Sequence, residues 1–278
     1  MKIEEVLNNN AIVRLNEKSQ EEIVVGRGIA FRLSSGDSVV DAKKIQKIFT
    51  FLNPDVFALF KKVVLEIPLE YILLSTKIIE YAKETYAKKF DDSIYVTLTE
   101  HIYRVIGRES YGFQLKNALR WEIRHIYKEE FIIGQKALAL LQRQCSISLK
   151  EDEAAFIALH FVNAELKGDL NRIVDVTKMI QSILNIVKNH YKFEYNEESL
   201  NYSRFVTHLK SLAQRLFSGK ASEDKDDEMF DTMSEKYGNT YECVKKIKTM
   251  VATDYAYELT KEEQLYLIIH IEKVIKNK

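Results

Sequence analysis

Four histidines stand in the chain as two pairs with similar spacing. His101 and His160 are 59 residues apart, and His208 and His270 are 62 residues apart. A lone histidine in an apolar helix is usually a hydrogen-bonded core residue. A buried imidazole needs hydrogen-bond partners that a leucine at the same position would not need. The occurrence of histidine there in matched pairs therefore favours a chemical role. We expect the two histidines of each pair to meet at a cleft in a helical bundle.

An imidazole pair can bind a metal ion or react as a nucleophile. The sequence has no His-x-x-x-His or His/carboxylate set at clear ligand spacing, so we expect neither a metal site nor a cofactor. It also lacks a Gly-x-Ser-x-Gly turn and a glycine-rich phosphate loop. The remaining chemistry is phosphorylation of the imidazole, which adds about two negative charges and can switch an interface. Arg104, Arg108 and Arg215 could receive that charge, although arginines so near in sequence usually face solvent.

One histidine of each pair follows a glutamate by seven residues. Glu153 precedes His160 and Glu263 precedes His270, with almost wholly apolar residues between them. Seven residues are two helical turns, so glutamate and histidine share a helix face. We expect His160 and His270 to be partly buried at contacts between modules or subunits.

The regions around the two pairs form an internal duplication with a period near 108 residues. We place the first copy at residues 56–169 and the second at 170–278. Apolar residues at helical spacing predict five helices in each copy. The predicted helices are 69–82, 95–106, 113–127, 131–144 and 151–166, then 173–191, 199–217, 231–236, 240–257 and 260–276. The acidic stretch Ala221–Glu228 is predicted to be a solvated loop.

Residues 1–55 differ from the rest and predict four short antiparallel strands. Turn signals lie at 8–10, 26–28 and 34–37, so that 29–33 and 39–40 would be strands. Lys43–Phe49 is predicted to close the unit as a last strand or a helical turn. A domain of some 50 residues has only a small hydrophobic core. We therefore expect this sheet to form a homodimer.

The polar turns of this first domain have two interpretations. Asparagines at 8–10 and the Gly26-Arg27-Gly28 run can be ordinary turn chemistry. They can also form a nucleic-acid face, in which Asn and Arg bond base edges and Phe31 stacks on a base. Residues 1–55 contain eight basic and eight acidic residues, which argues against a non-specific electrostatic binder. A shape- and base-specific RNA binder remains open.

Overall composition predicts a mostly helical protein of several domains. The 278 residues include nine Gly, two Pro and two Cys, and the formal net charge is zero. Two distant cysteines suit a reduced cytoplasmic protein. We see neither an apolar signal core at the N-terminus nor a run long enough to insert into a membrane. The predicted fold is a small antiparallel β-sheet domain followed by two homologous all-α bundles.

Several segments in combination resemble one family from end to end. The first domain contains MKIEEVLNNNAIV, VVGRGIAF and KKIQKIF, and the bundles contain LTEHI, WEIRHIYKEEF, EDEAAFIALHFVNAEL, FVTHLKSLAQRLF and LIIHIEKV. These resemble the BglG/LicT/SacY transcriptional antiterminators, which have a co-antiterminator RNA-binding domain and two PTS-regulation domains. The resemblance implies domain boundaries at residues 55/56 and 169/170.

The family resemblance also implies a mechanism. The first domain would dimerise and bind a hairpin in nascent mRNA, preventing an overlapping terminator from forming. The sugar permease of the phosphotransferase system would phosphorylate His101 and/or His160 and inactivate the protein. HPr would phosphorylate His208 and/or His270 and activate it by stabilising the dimer. The protein would be a regulator and not an enzyme, and family members of this type lean toward β-glucosides as inducers.

By resemblance, five residues match positions implicated in RNA contact: Asn8, Asn10, Gly26, Arg27 and Phe31. Three residues depart from the family pattern. Glu5 stands where a basic residue is common, which puts a phosphate contact there in doubt. Glu100 replaces the usual Asp before His101, and Ala118 replaces a common Pro.

Two other function classes remain as alternatives. A DNA-binding activator with the same regulatory domains would need a helix-turn-helix at the front, where the pattern predicts strands. A metal-dependent helical enzyme would use the histidine pairs as ligands, and bound metal in the purified protein would reveal it.

Overall fold

The chain folds into two compact units, residues 1–168 and 169–278, in a computed structural model. The structure describes residues 2–37, 41–166, 170–218 and 227–276. A small sheet and a helical bundle make up the described part of the first unit, and a second helical bundle makes up that of the second. This confirms the predicted fold class.

The sheet has four antiparallel strands in sequence order. They are β1 (Ile3–Asn8), β2 (Ala11–Leu15), β3 (Glu21–Val25) and β4 (Lys47–Phe49). Ile12 lies opposite Val6 on one side and Val24 on the other. Because side chains alternate between faces along a strand, this register places the apolar residues of β2 and β3 on two different faces.

Six helices follow within the described part of the first unit, and together they form the first bundle. They are α1 (Pro54–Glu66), α2 (Leu69–Tyr86), α3 (Ile94–Glu109), α4 (Arg120–Ile126), α5 (Lys128–Cys145) and α6 (Glu151–Leu166). Asn53 caps α1, because its side chain accepts a hydrogen bond from the Asp55 amide at 2.9 Å. Pro54 follows at the first helical position, where its missing amide proton costs nothing. Helix α1 adds one helix to the five predicted.

The sheet is buried on both faces. Its inner face, which includes Val13, Val25 and Phe49, belongs to one apolar core with the helices. The Phe49 ring lies 4.5 Å from that of Phe60 in α1 and 5.5 Å from that of Tyr95 in α3. On the outer face, Ile3, Ile12 and Val24 pack against Ile29 and Ala30. The thin core predicted from the sequence is therefore extended by the helices of the same unit.

The predicted strand at 29–33 is wrong. Residues 27–32 form turns, because Gly28 and Arg32 have positive φ angles of 64° and 62°. The segment folds over the outer face of the sheet and buries Ile29 and Ala30 there. At 43–49 both predicted alternatives occur in succession, a 3-10 turn at Ala42–Lys44 and then β4. The predicted strand at 39–40 lies outside the described residues.

The predicted helix at 113–127 is too long at its start. Helix α4 begins at Arg120, and Gly112 has a positive φ of 69° that ends the preceding turn. Residues 113–117 have no regular structure, and the Asn117 amide donates to the Asp152 carboxylate at 2.8 Å. A tertiary contact thus takes the place of the helical hydrogen bond that the apolar pattern predicted.

The second bundle contains five helices in the described residues. They are α7 (Leu170–Tyr191), α8 (Leu200–Ser218), α9 (Asp227–Lys236), α10 (Gly238–Tyr255) and α11 (Lys261–Ile275). The predicted capping box of Thr260 and Glu263 is present at the start of α11. Of the predicted acidic loop 221–228, residues 221–226 lie outside the described residues.

The internal duplication is confirmed element by element. Helices α4 and α5 are separated by Tyr127, as α9 and α10 are by Tyr237, with nearly equal backbone angles. Helices α5 and α10 both end at a left-handed residue, Ser146 and Ala256. Helices α3 and α8 therefore correspond to each other, as do α6 and α11, and these four helices carry the histidine pairs.

Candidate functional site

The first histidine pair lies between α3 and α6. The imidazole centroids of His101 and His160 are 4.7 Å apart, with the rings inclined by 46°. The face of α6 that carries His160 packs into the core, and the His160 side chain is only 7% exposed. The His101 side chain is 14% exposed and forms the outer member of the pair. The predicted pairing at a cleft between helices is present here.

A buried glutamate joins this pair to an arginine. Glu153, seven residues before His160, has an oxygen 3.3 Å from His101 Nε2. Its other oxygen accepts a hydrogen bond from Arg108 at 3.0 Å. Because the carboxylate is almost fully buried, the hydrogen bond from Arg108 compensates one of its oxygens for lost water, while the oxygen beside His101 makes no hydrogen bond within the described residues. The seven-residue spacing predicted that Glu153 shares a helix face with His160, but the contact of Glu153 with His101 was not predicted.

The second pair lies between α8 and α11 and is closer. The His208 and His270 centroids are 3.7 Å apart, inclined by 33°. His270 is 8% exposed, whereas His208 is exposed and also lies parallel to the Tyr266 ring at 6.2 Å. The expectation that His160 and His270 are only partly buried is wrong. Each is covered by the outer histidine and the apolar residues of its own bundle.

The second pair opens into a cavity of about 330 Å³. Both histidines line it, together with Arg215, Glu263 and Tyr266. Glu263 is 1% exposed and accepts hydrogen bonds from the Tyr257 hydroxyl at 3.1 Å to each oxygen. Arg215 Nε lies 3.6 Å from the same carboxylate. The glutamate and the arginine of the first bundle thus have counterparts here.

Burial lowers the pKa values of three of the four imidazoles, those of His160, His208 and His270. Burial lowers the pKa of His160 well below its usual value, and His101 lowers it further. Burial, with added repulsion from His208, Lys273 and Arg204, lowers the pKa of His270 to about 4. The pKa of His208 is also lowered, by burial and then by Arg215 and Lys273. A neutral imidazole retains a lone pair that can attack an electrophile near pH 7.

The predicted arginines divide into two kinds. Arg108 and Arg215 contact the buried glutamates, which makes them part of the histidine sites. Arg104 is 70% exposed and pairs with Glu100 on its own helix at 3.4 Å. Glu100 is therefore directed to Arg104, and the carboxylate in contact with His101 is Glu153.

In the N-terminal domain, the predicted RNA-contact residues separate into an exposed group and a structural group. Arg27 is exposed, and the Phe31 ring is 60% exposed with the Arg32 guanidinium 5.2 Å from its centre. Lys44 Nζ approaches the Gly28 carbonyl at 3.4 Å. Arg27, Phe31, Arg32 and Lys44 form what we call the basic–aromatic face. Arg32 and Lys44 were not among the predicted contact residues, although the acid-free run 23–36 contains Arg32.

Asn8 and Asn10 hold the backbone of this region in place. The Asn8 amide donates to the Val64 carbonyl at 2.8 Å, and its oxygen accepts from the Asn10 amide at 2.8 Å. The Asn10 side chain accepts from the Gly28 amide at 2.8 Å. Both asparagines line a cavity of about 220 Å³ between the sheet and α1 and α2. The structure therefore joins Asn10 to the 26–28 turn and directs Asn8 toward the helices.

Gly26 is required by a close backbone approach. A Cβ atom at this position would lie 1.8 Å from the Lys44 carbonyl oxygen, so every other residue type would collide. The Glu5 carboxylate forms an ion pair with Lys61 of α1. The departure at position 5 thus has a structural consequence, a link between the sheet and the first bundle.

The alternatives from the sequence gain no support. In the described ranges, no group of three or more His, Cys, Asp or Glu side chains is placed to hold a metal ion. Residues 2–37 and 41–53 contain strands, turns and one 3-10 turn, with no helix-turn-helix among them. None of the described helices has the length and apolar character that a membrane crossing requires.

Comparison with known proteins agrees with this division of the chain. The CAT RNA binding domain family matches residues 1–56, and the PRD domain family matches residues 76–164 and 181–274. Transcription antiterminator LicT of Bacillus subtilis is 52% identical over 276 residues, which cover 99% of each chain. The chain belongs to the BglG/LicT/SacY family of transcription antiterminators. The family predicted from the sequence motifs is thereby confirmed.

Other family members agree over similar lengths. The beta-glucoside operon antiterminator of Dickeya chrysanthemi is 41% identical, covering 99% of this chain and 96% of its own. Among solved structures, the crystal structure of GlcT CAT-PRDI superposes with a TM-score of 0.51 and 27% identity. It covers 59% of this chain and 97% of that chain. As in the rest of the family, an RNA-binding domain is followed by two PRD domains, which suits regulation by the phosphotransferase system.

Proposed function

We propose that this antiterminator binds an mRNA hairpin as a homodimer and responds to sugar through phosphorylation of its histidine pairs. Phosphorylation of His101 and/or His160 by the sugar permease switches it off. Phosphorylation of His208 and/or His270 by HPr switches it on. We further propose that the protein acts in the cytoplasm, is not an enzyme, and divides at residues 55/56 and 169/170.

The observation that carries this proposal is the occurrence of two apposed imidazole pairs at corresponding places in the duplicated bundles. In both, one ring is buried and the other lies nearer the surface, within 5 Å of its partner. A structural core histidine has no need of a second imidazole in van der Waals contact. A phosphoryl acceptor benefits, because an imidazole in its neutral form supplies a nitrogen lone pair, and two imidazoles at one cleft offer two such acceptors.

The reaction itself requires little of the acceptor protein. A neutral imidazole nitrogen forms a bond to phosphorus while the bond between phosphorus and the donor residue breaks. The leaving side chain of the phosphorylated HPr or permease keeps that electron pair, so no further reactant is needed. The acceptor gains about two negative charges, which its surroundings must then compensate.

For RNA, the basic–aromatic face supports the proposal. Exposed Phe31 provides a stacking surface, and Arg27 and Arg32 supply donors for bases or phosphates. Asn10 and Gly26 fix the 26–28 turn that carries this face, and Asn8 links Asn10 to the Val64 carbonyl of α1. Their contribution to RNA binding is thus proposed to come mainly from the loop shape they impose.

Phosphosite mapping tests the proposal. The full chain is incubated with the phosphotransferase enzymes and HPr, or with a candidate permease, and modified histidines are located by mass spectrometry under non-acidic conditions. We expect modification at His208 or His270 with HPr and at His101 or His160 with the permease. His125 and His190, which lie outside the pairs, are internal controls. Equal labelling of all six histidines, or none, would overturn the assignment.

A further inference from the structure

Each bundle carries a set of four residues in the same arrangement. On one helix an arginine follows the outer histidine by seven residues, Arg108 after His101 and Arg215 after His208. On the facing helix a glutamate precedes the inner histidine by seven residues. Because seven residues are two helical turns, each helix presents both of its polar groups on the shared face. The glutamate of one helix meets the arginine of the other in both bundles.

In the first bundle the buried glutamate contacts both polar groups of the opposite helix. One Glu153 oxygen lies 3.0 Å from Arg108 and the other 3.3 Å from His101. The Glu153 side chain is 3% exposed, whereas that of Arg108 is 29% exposed. Arg108 can therefore move in partly open space, and the carboxylate has no room to follow it. A new anion on His101 would appear beside a fixed negative charge and a movable positive one.

In the second bundle the arginine lies farther from its glutamate. Arg215 Nε is 3.6 Å from the Glu263 carboxylate, and the arginine side chain is 40% exposed. The Tyr257 hydroxyl donates to both Glu263 oxygens, so that the carboxylate keeps a hydrogen-bond partner when the arginine moves. Arg215 also lines the open cavity with His208 and His270. If the exchange occurs here, Tyr257 compensates the buried carboxylate that the arginine leaves.

We propose that Arg108 and Arg215 are positioning residues that leave the buried glutamate and bind the phosphoryl group when a histidine of their pair is phosphorylated. This inference rests on the proposed histidine phosphorylation and adds the residues that respond to it. In the unmodified protein, the arginines pair with the carboxylates of Glu153 and Glu263 instead of with a phosphate. Phosphorylation supplies a stronger anion with three acceptor oxygens, which favours transfer of the guanidinium.

Two consequences follow for the modified protein. The arginine stabilises the phosphohistidine, so the modification lasts longer than it would without it. In the first bundle, Glu153 at the start of α6 loses its cation while it faces the new phosphate. The resulting repulsion acts between α3 and α6, the two helices that carry the pair. The exchange thereby converts a local modification into a force between helices.

The test compares Arg108→Gln with Arg104→Gln in the full chain. Arg104 is a matched control, since it is on the same helix and, within the described part of the chain, its ion pair is with half-buried Glu100. After phosphorylation of the first pair by the permease, the donor is removed and the decay of phosphohistidine is followed. We expect Arg108→Gln to shorten the half-life about tenfold, the effect of one lost charge-assisted hydrogen bond. Arg104→Gln should keep the wild-type half-life, and Arg108→Lys should restore part of the loss.

The outcomes separate this inference from the proposed function. If the wild-type protein is not phosphorylated at the histidine pairs, both the proposed function and this inference are wrong. Wild-type protein that is modified and decays at the same rate as Arg108→Gln overturns the inference alone. Should Arg108→Gln fail to fold because Glu153 loses its cation, Arg215→Gln decides the question with HPr as donor, since Tyr257 still holds Glu263. Unchanged decay in that variant rejects the exchange.

Discussion

At the residue scale, the two histidines of each pair have different environments. His160 and His270 are buried, while His101 and His208 are nearer the surface. The outer ring is the one a donor protein can approach, and the inner ring is held neutral by burial. A donor can therefore meet one lone pair directly and reach the second across a contact of less than 5 Å.

His270 makes stability in the second bundle depend on pH. Its pKa is about 4 in the folded chain and 6.5 when unfolded, so the unfolded chain takes up a proton first as the pH falls. Stability is therefore lost between about pH 7 and pH 4, by up to about 3 kcal/mol from this residue. The His270→Gln variant is expected to lose less stability over that range than wild type. Urea unfolding at pH 7 and pH 4.5 measures the difference, and equal losses would contradict it.

Arg27 is the residue of the basic–aromatic face whose side chain can be removed with the least effect on the fold. Its side chain is exposed, and only its backbone amide bonds to Gln46. Arg27→Ala is expected to weaken hairpin RNA binding by about 1–3 kcal/mol without a change in thermal stability. Lys18→Ala, in the turn at the opposite end of β2 and β3, is the charge-matched control. RNA titrations that give both variants the wild-type affinity would remove Arg27 from the RNA face.

At the scale of elements, helix α6 is positioned by a close approach to α5. A Cβ atom at Gly134 of α5 would lie 2.1 Å from the Ala154 carbonyl oxygen of α6. Ala154 adjoins Glu153, so the contact that brings the helices together also fixes the carboxylate beside His101. A packing residue on a helix without any of the site residues thereby sets the geometry of the site.

Gly134→Ala is expected to destabilise the first bundle by about 1–3 kcal/mol, because the methyl group must push α5 from α6. Gly107→Ala is the control, since a Cβ there meets nothing within 4 Å in the same bundle. In an open helical position, alanine is favoured over glycine by about 1 kcal/mol. Urea unfolding should move the two variants in opposite directions. A shift of both in the same direction would show that the close approach to α6 is not the cause.

The sequence predicted elements well and contacts poorly. Periodicity placed α3, α6, α8 and α11, and the seven-residue spacing placed each glutamate on the face of its histidine. It did not show that Glu153 contacts His101, because the relative height of two helices depends on packing such as that at Gly134. The predicted strand at 29–33 failed since an apolar run can cover a sheet as well as join it. Periodicity cannot distinguish those two uses.

At the scale of the whole chain, duplication gave two histidine pairs with different surroundings. In the first bundle, Glu153 reaches both the outer histidine and the arginine. In the second, burial lowers the pKa values of the pair, and three cations add to that effect, namely Arg204, Arg215 and Lys273. At the first site a carboxylate therefore lies beside the outer histidine, whereas at the second the outer histidine has cations nearby. Added phosphate should be repelled by Glu153 at the first site and attracted by the three cations at the second, in keeping with the opposite regulatory effects that we propose.

This contrast makes a prediction about assembly. Replacing His208 and His270 by Asp introduces negative charge beside those three cations, as phosphate would. We expect the doubly substituted chain to dimerise with a Kd about tenfold lower than wild type, because like-charge repulsion between two copies decreases. His190→Asp adds one of these two negative charges elsewhere in the same bundle and should leave the Kd unchanged. Sedimentation equilibrium in low and high salt distinguishes the cases, since a charge effect shrinks as salt increases. A Kd that is the same in all three proteins would show that the second pair does not control the dimer through its charge.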